Sequence, residues 1–317
     1  HTVGSQMGSR ADVINSTNLT HYSFNVYAFT RNSTDGSDDA LFMGTKDTEL
    51  GTGGIKISHN GSKWNYADPN NLKYWPTGSL NFYAVSPVSD PIFYSWQISQ
   101  TEKKINYASY DEYGDGSHPY TDVMYAIAPN KSKADGTVQL NFKHITSQIV
   151  FMAKKQRADM NVEIKSIKLH NLETNGVFTI PTNVTDPQQK SWSYNSKFYS
   201  KKGLAVINIG DNDPKINVGT DATDISSSKP MFLIPQKLTA WDTSHNKDDA
   251  DTKKQSYLSI ECKISIDGSN IIDTKTTGEK LYVPFGADWQ PGKRYVYTLI
   301  FGGGYDAAGN TILQPIN

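Results

Sequence analysis

The segment Leu258-Ser259-Ile260-Glu261-Cys262-Lys263-Ile264-Ser265-Ile266 alternates apolar and polar residues from end to end. Successive side chains of an extended strand point to opposite faces, so this segment carries one dry face and one wet one. Cys262 falls on the dry face, where a thiol acts as a small buried hydrophobe rather than a nucleophile.

The same period of two recurs in Tyr22–Ala28, Leu80–Ala84 and Val138–Phe142. Further strand-like runs cover Val123–Ala128, Ile149–Ala153, Ile164–Leu169, Gly176–Ile180, Leu204–Ile209, Met231–Ile234, Leu281–Phe285 and Tyr295–Phe301. Turn signals punctuate them at Asn60-Gly61, Asp115-Gly116, Asp135-Gly136, Asp267-Gly268 and Gly302-Gly303-Gly304. Many short strands, abundant Tyr and Thr, and no amphipathic helix of three turns predict an all-β chain built from sandwiches.

A length of 317 residues fits two domains. The polar stretch Pro129–Gly136 is the expected boundary, giving one sandwich over 1–136 and a second over 137–317. Asp211–Lys229 and Ser244–Gln255 read as long, mobile loops, the second of them solvated, because a block this polar cannot offset its ordering entropy by burial.

The chemistry-bearing patterns are sparse. Basic and acidic residues number 31 and 32 and are well mixed, which excludes an electrostatic case for nucleic acid or an anionic membrane. A single cysteine, Cys262, excludes an internal disulfide. None of the seven histidines sits at metal-ligand spacing, and there is no nucleophile elbow and no phosphate-binding loop. Asp111–Gly116, Asp35–Asp39 and Asp211–Asp213 match a calcium loop only loosely, and turn-forming Asp is the simpler reading. No catalytic residue, metal or cofactor is therefore assigned, and the chain is expected not to be an enzyme. The six tryptophans, at 64, 75, 96, 192, 241 and 289, could stack on sugars or anchor cores. A surface glycan-binding module is thus the alternative function.

Several segments in order resemble the fimbrillin-like family of Bacteroidales, the subunits of type V pili. Tyr74-Trp75-Pro76 leads into Leu80–Pro87, similar to the family's Y-W-P and F-Y-A-x-x-P. Asp122-Val123-Met124-Tyr125-Ala126 resembles D-x-x-Y-A, and Val138–Ile149 resembles V-x-L-x-F-x-H-x-x-x-x-(I/V). Trp289–Tyr297 is similar to W-x-P-G-x-x-Y-x-Y, and Gly303–Ile312 to the family's close.

The resemblance implies two tandem transthyretin-like (Greek-key) β-sandwich domains, with a removable first strand in the 1–136 domain. It implies a structural or tip subunit of a cell-surface fimbria that supports adhesion, made as a lipoprotein precursor and touching the outer membrane only through its lipid anchor. Its partners would be other fimbrial subunits, engaged by protease-triggered strand exchange, and host or bacterial surface ligands. Cleavage follows an Arg after the first strand; Arg10, in the small polar stretch Gly8-Ser9-Arg10-Ala11-Asp12, fits that role, with Ala11 as the new N-terminus. The family's C-terminal donor tail is not evident, since this sequence stops at Asn317, which leaves stalk, tip and anchor roles open.

Overall fold

A computed structural model describes residues 14–45, 53–88, 94–109, 121–182, 191–194, 204–208, 215–226 and 231–302. The first strands are β1 (Phe24–Arg31), β2 (Asp38–Met43), β3 (Ile55–His59), β4 (Trp64–Tyr66), β5 (Leu80–Ser86), β6 (Tyr94–Ile98), β7 (Lys103–Ala108), β8 (Met124–Lys131) and β9 (Lys143–His144). There follow β10 (Ser147–Lys155), β11 (Met160–His170), β12 (Asn175–Thr179), β13 (Trp192–Tyr194), β14 (Leu204–Asn208), β15 (Ile216–Asn217), β16 (Thr223–Asp224), β17 (Met231–Leu233) and β18 (Lys237–Leu238). Helix α1 (Lys247–Thr252) precedes β19 (Tyr257–Ile266) and β20 (Ser269–Asp273); α2 (Thr274–Thr277) precedes β21 (Leu281–Pro284), β22 (Ala287–Asp288) and β23 (Arg294–Phe301). The all-β expectation holds.

The first large sheet has the order β4-β3-β1-β5-β8-β9, with β2 also on β1. It faces the sheet β13-β12-β7-β6 across a core that includes Tyr27, Phe29, Tyr83, Tyr125, Trp96, Ile105 and Phe178. The second core lies between β16-β10-β17 with β23, and β14-β11-β19-β20 with β15 and β21. Strand β19 follows its alternation in part: Leu258, Ile260, Cys262 and Ile264 are buried while Glu261 and Lys263 are half covered, but Ser259 is buried too, bonded to His170, and Ile266 is half covered. The Asp267-Gly268 turn joins β19 to β20 with both residues at positive φ, 48° and 80°, the geometry that a two-residue hairpin turn requires. Among the described residues every strand ladder is antiparallel except β10–β23, which runs parallel over Gln148–Lys155 and Arg294–Phe301.

Four expectations need correction. The chain does not leave the first sandwich at residue 136: β12 and β13, beyond it, complete the sheet with β7 and β6, and Phe178 and Trp192 enter the first core. Local periodicity says nothing of a strand pairing with one about seventy residues earlier, so a polar stretch looked like a boundary. Second, Val138–Phe142 joins no ladder; it lies over the outer face of the first sheet, with Val138, Leu140 and Phe142 packed there. Third, within Ser244–Gln255 the segment Lys247–Thr252 is helical, capped by the Asn246 side chain and held by Asp251, which accepts bonds from Asn171 and Tyr257. Within Asp211–Lys229, Val218 and Ile225 are buried in the second core. Those apolar residues, isolated in polar sequence, were hidden from a composition argument.

The fourth correction concerns the faces. Alternation in β1 and β5 singles out Phe24, Val26, Ala28 and Leu80, Phe82, Ala84, and these cover the outer face of the first sheet rather than the inter-sheet core. The intervening Tyr27, Phe29, Tyr83 and Val85 fill that core, so the central strands are dry on both sides. Asn81 is buried among them because its amide is used: Nδ2 donates to Asp38 Oδ1 at 2.8 Å, and Oδ1 accepts from the Asn130 N–H at 3.0 Å.

An ion pair closes this pole of the first sandwich. Lys103 Nζ meets Asp38 Oδ2 at 2.6 Å, with 6% and 5% of the two side chains exposed. Lys103 also donates to the Ser99 and Gln100 carbonyls and lies 5.0 and 4.8 Å from the Phe29 and Tyr83 ring centres. Tyr83 donates its hydroxyl to Asp38, and burial together with that carboxylate pushes the phenol pKa upward. Removing one member of such a buried pair leaves an uncompensated charge.

Asp38→Ala should therefore cost about 3–5 kcal/mol in denaturant unfolding, while Asp38→Ala combined with Lys103→Met should recover most of that loss. The Cys262 thiol, pushed up to about 12 by burial, should resist a maleimide at pH 8 in the native protein and react at once when unfolded; labelling followed by intact mass measures both.

Candidate interaction surface

The outer face of the first sheet is too apolar to stand in water. Small residues (Ala28, Ala84, Ala126, Ala128) alternate there with Phe24, Val26 and Phe82, so covering segments can approach the sheet closely. Two segments do so. Val138–Phe142 crosses it, with the Phe142 and Phe24 ring centres 5.1 Å apart. The stretch before β5 brings Trp75 to 6.0 Å from Phe82. Between them remains a groove of about 300 Å³, floored by Phe24, Val26 and Ile57 and walled by Trp64, Tyr74 and Trp75. Tyr74 is 81% exposed and Trp64, on the edge strand β4, 36%. The tryptophans therefore divide. Trp96, Trp192 and Trp289 are core anchors, Trp241 is half-buried, and Trp64 and Trp75 line this groove.

A second constellation sits where the two sandwiches meet. Asp122 precedes β8 and is fully buried; its Oδ1 lies 2.7 Å from His144 Nδ1 on β9, and its Oδ2 accepts the Ile14 N–H at 2.8 Å. The hydrogen bond to Asp122 raises the His144 pKa, against a smaller opposing effect of desolvation. His144 is thus a hydrogen-bonded structural histidine. The sequence reading missed Asp122 as its partner; the available signal was a carboxylate and an imidazole in two adjacent resemblance motifs.

The remaining resemblance motif also closes a corner. Trp289, fully buried, donates its indole N–H to the Tyr297 hydroxyl at 2.9 Å. The Tyr295 hydroxyl accepts from the Gln290 N–H and donates to the Asp288 carbonyl. Gly292, at φ 68°, turns the chain and donates its N–H to the Thr146 carbonyl at 2.8 Å. This corner delivers β23 to β10. Strand β8 carries no partner on its second edge beyond Tyr125, and β23 is paired only with β10, among the described residues.

Arg10 and Ala11 lie outside the described residues, as do Asp111–Gly116, Asp211–Asp213 and Gly303–Ile312. Asp35 caps its own turn by accepting from Ser37, and Asp38 is committed to Lys103, so two of the three carboxylates of the Asp35–Asp39 loop have structural uses. Among the described residues no group of three His, Cys, Asp or Glu side chains could hold a metal ion, and no helix is long and apolar enough to cross a membrane.

No curated protein matches this sequence. Among solved structures, a fimbrial protein from Bacteroides vulgatus ATCC 8482 is similar, with TM-score 0.50, 17% identity and 88% of each chain covered. A candidate cell adhesion protein from Bacteroides uniformis ATCC 8492 is similar at TM-score 0.50 and 13% identity, covering 97% of this chain and 96% of that one. At such identities these structures speak to the fold alone. The model of the fimbrillin-like family, by contrast, matches residues 9–314. With its motifs placed at the sheet face, the junction and the β23 corner, this chain belongs to the fimbrillin-like family.

Proposed function

We propose that this chain is a fimbrial subunit at the cell surface, cut between Arg10 and Ala11 and joined to its neighbours by strand exchange. The family match over residues 9–314 carries the reading, and the fimbrial and adhesion proteins among its structural neighbours agree with it. A subunit of this kind works by binding rather than catalysis, reaching the outer membrane through a lipid anchor on its precursor. Physically, strand exchange needs an unpaired ladder beside an apolar surface, because main-chain bonds supply affinity and side-chain pockets supply specificity. Among the described residues, β8 beyond Tyr125 and β23 each have one edge without a ladder, which supports the first need, and the buried Ile14 lies near the junction between the two sandwiches.

Limited digestion of the folded protein with an Arg-specific protease, read by intact mass, tests the processing step. The expected product is a single cut after Arg10, and the cut protein should form ladders with a subunit bearing a complete C-terminal tail. Equal cutting at Arg157 or Arg294, or a cut at Arg10 that leaves association unchanged, would overturn the assembly mechanism.

The exposed Trp64 and Tyr74 rings favour a second reading, in which the outer-face groove stacks on surface glycans. In that reading Trp64→Ala and Tyr74→Ala should each weaken retention on a glycan array roughly three- to tenfold without changing assembly; a wild-type protein that binds no glycan removes it.

A further inference from the structure

The Asp122 carboxylate is fully buried, yet both of its oxygens are engaged by groups from distant parts of the chain. Oδ1 faces His144 Nδ1 at 2.7 Å and Oδ2 takes the Ile14 backbone N–H at 2.8 Å. Ile14 itself is 2% exposed. The bond to its N–H spans 108 residues of sequence, so it reports tertiary structure and not a local turn. Beyond His144, a cavity of about 70 Å³ is walled by Thr146, Gln148, Gly292, Lys293 and Arg294, which connects the clasp to the start of β23.

We propose that Asp122 and His144 form a protonation-dependent clasp that holds the Ile14 backbone in place. A buried carboxylate needs a compensating partner, and a charged imidazole is a better one than a neutral imidazole. With His144 charged, burial of the Asp122 carboxylate is compensated, which favours the closed arrangement in which Oδ2 accepts the Ile14 N–H over one opened to water. With His144 neutral, only a hydrogen bond remains to balance the buried charge, and the hold on Ile14 loosens. Among the described residues, the nearby charged side chains are Lys143, next to His144 on β9, and Lys293 and Arg294 on the cavity wall. Of these residue types, histidine alone has its ordinary pKa near neutrality.

The direction follows from the raised pKa of His144. A pair whose histidine pKa is higher folded than unfolded contributes its full stability below the unfolded value of 6.5, and loses it as pH rises through the folded value. The clasp is therefore tightest in mildly acidic surroundings. It would make release of Ile14 easier at alkaline pH, and it stands whether or not Arg10 is the site of cleavage.

Amide hydrogen exchange of the intact chain tests this, using protection factors so that the intrinsic pH dependence of exchange divides out. The Ile14 amide should lose protection roughly fivefold between pH 5.5 and pH 8.5, the difference between a charged and a neutral hydrogen-bonded partner. The Ile145 amide, bonded to the Val123 carbonyl at 3.0 Å nearby, serves as the control and should not change. His144→Asn keeps a neutral donor for Asp122, so it should show the low Ile14 protection at every pH. Asp122→Asn should lower it further. PH-independent Ile14 protection in the wild type, wild-type behaviour in His144→Asn, or parallel loss at Ile14 and Ile145 would each overturn the clasp. Should Asp122→Asn fail to fold, the His144→Asn comparison and the wild-type pH series decide the matter alone.

Discussion

The central strands of the first sheet, β1, β5 and β8, bury both of their faces, and much of the molecule exists to satisfy that demand. On the inner side the facing sheet must be completed, and the chain does so by sending β12 and β13 back from beyond residue 136 to pair with β7. On the outer side no second sheet lies among the described residues. The Val138–Phe142 strap and the segment around Trp75 cover the face instead, packing closely because alanines form much of its floor. The cover is incomplete, which is why an aromatic groove with Trp64 and Tyr74 at its wall remains open to solvent.

The junction between the sandwiches is polar where the cores are apolar, and its polar groups are matched to one another. Asp122 balances His144 and Ile14; Ser147 Oγ donates to the Gln290 carbonyl at 2.8 Å; Tyr107 donates its hydroxyl to the Phe232 carbonyl at 2.8 Å. Of these, the Tyr107 bond ties β7 of the first sandwich to β17 of the second, while the Ser147 bond fixes the start of β10 to the corner before β23. The Trp289–Tyr297 and Tyr295–Asp288 bonds then set the corner from which β23 runs beside β10, in the one parallel ladder among the described strands. A parallel pair needs a long connection between its members, so β23 can reach β10 only after the whole of the second sandwich has been laid down.

Much of this was legible in residue patterns. The alternation of Leu258–Ile266 located a strand and the buried side of Cys262, and Asp267-Gly268 located its turn. The resemblance motifs, read in order, pointed to the fimbrillin-like family that the match over residues 9–314 bears out. Other elements escaped. Lys103 opens a regularly alternating strand, with Ile105 and Tyr107 on the same buried side, but a lysine at a core position breaks the pattern unless its partner Asp38 is known. Asp122 was quoted as a motif letter with no hint of the imidazole and backbone amide that share it.

What the sequence by itself determined is therefore local: which segments extend, where they turn, and that no short motif for catalysis or metal binding is written in them. Those features depend on residues a few positions apart, whose conformational preferences act whatever the rest of the chain does. The tertiary structure alone decided which face of β1 and β5 meets which layer, where the first sandwich ends, and which charges are neutralised in the interior. Those outcomes depend on pairings such as Asn175–Thr179 with Lys104–Ala108, or Ile14 with Asp122 across 108 residues. Such contacts form only when burial of the whole chain offsets the entropy of bringing distant segments together, and no local pattern records them.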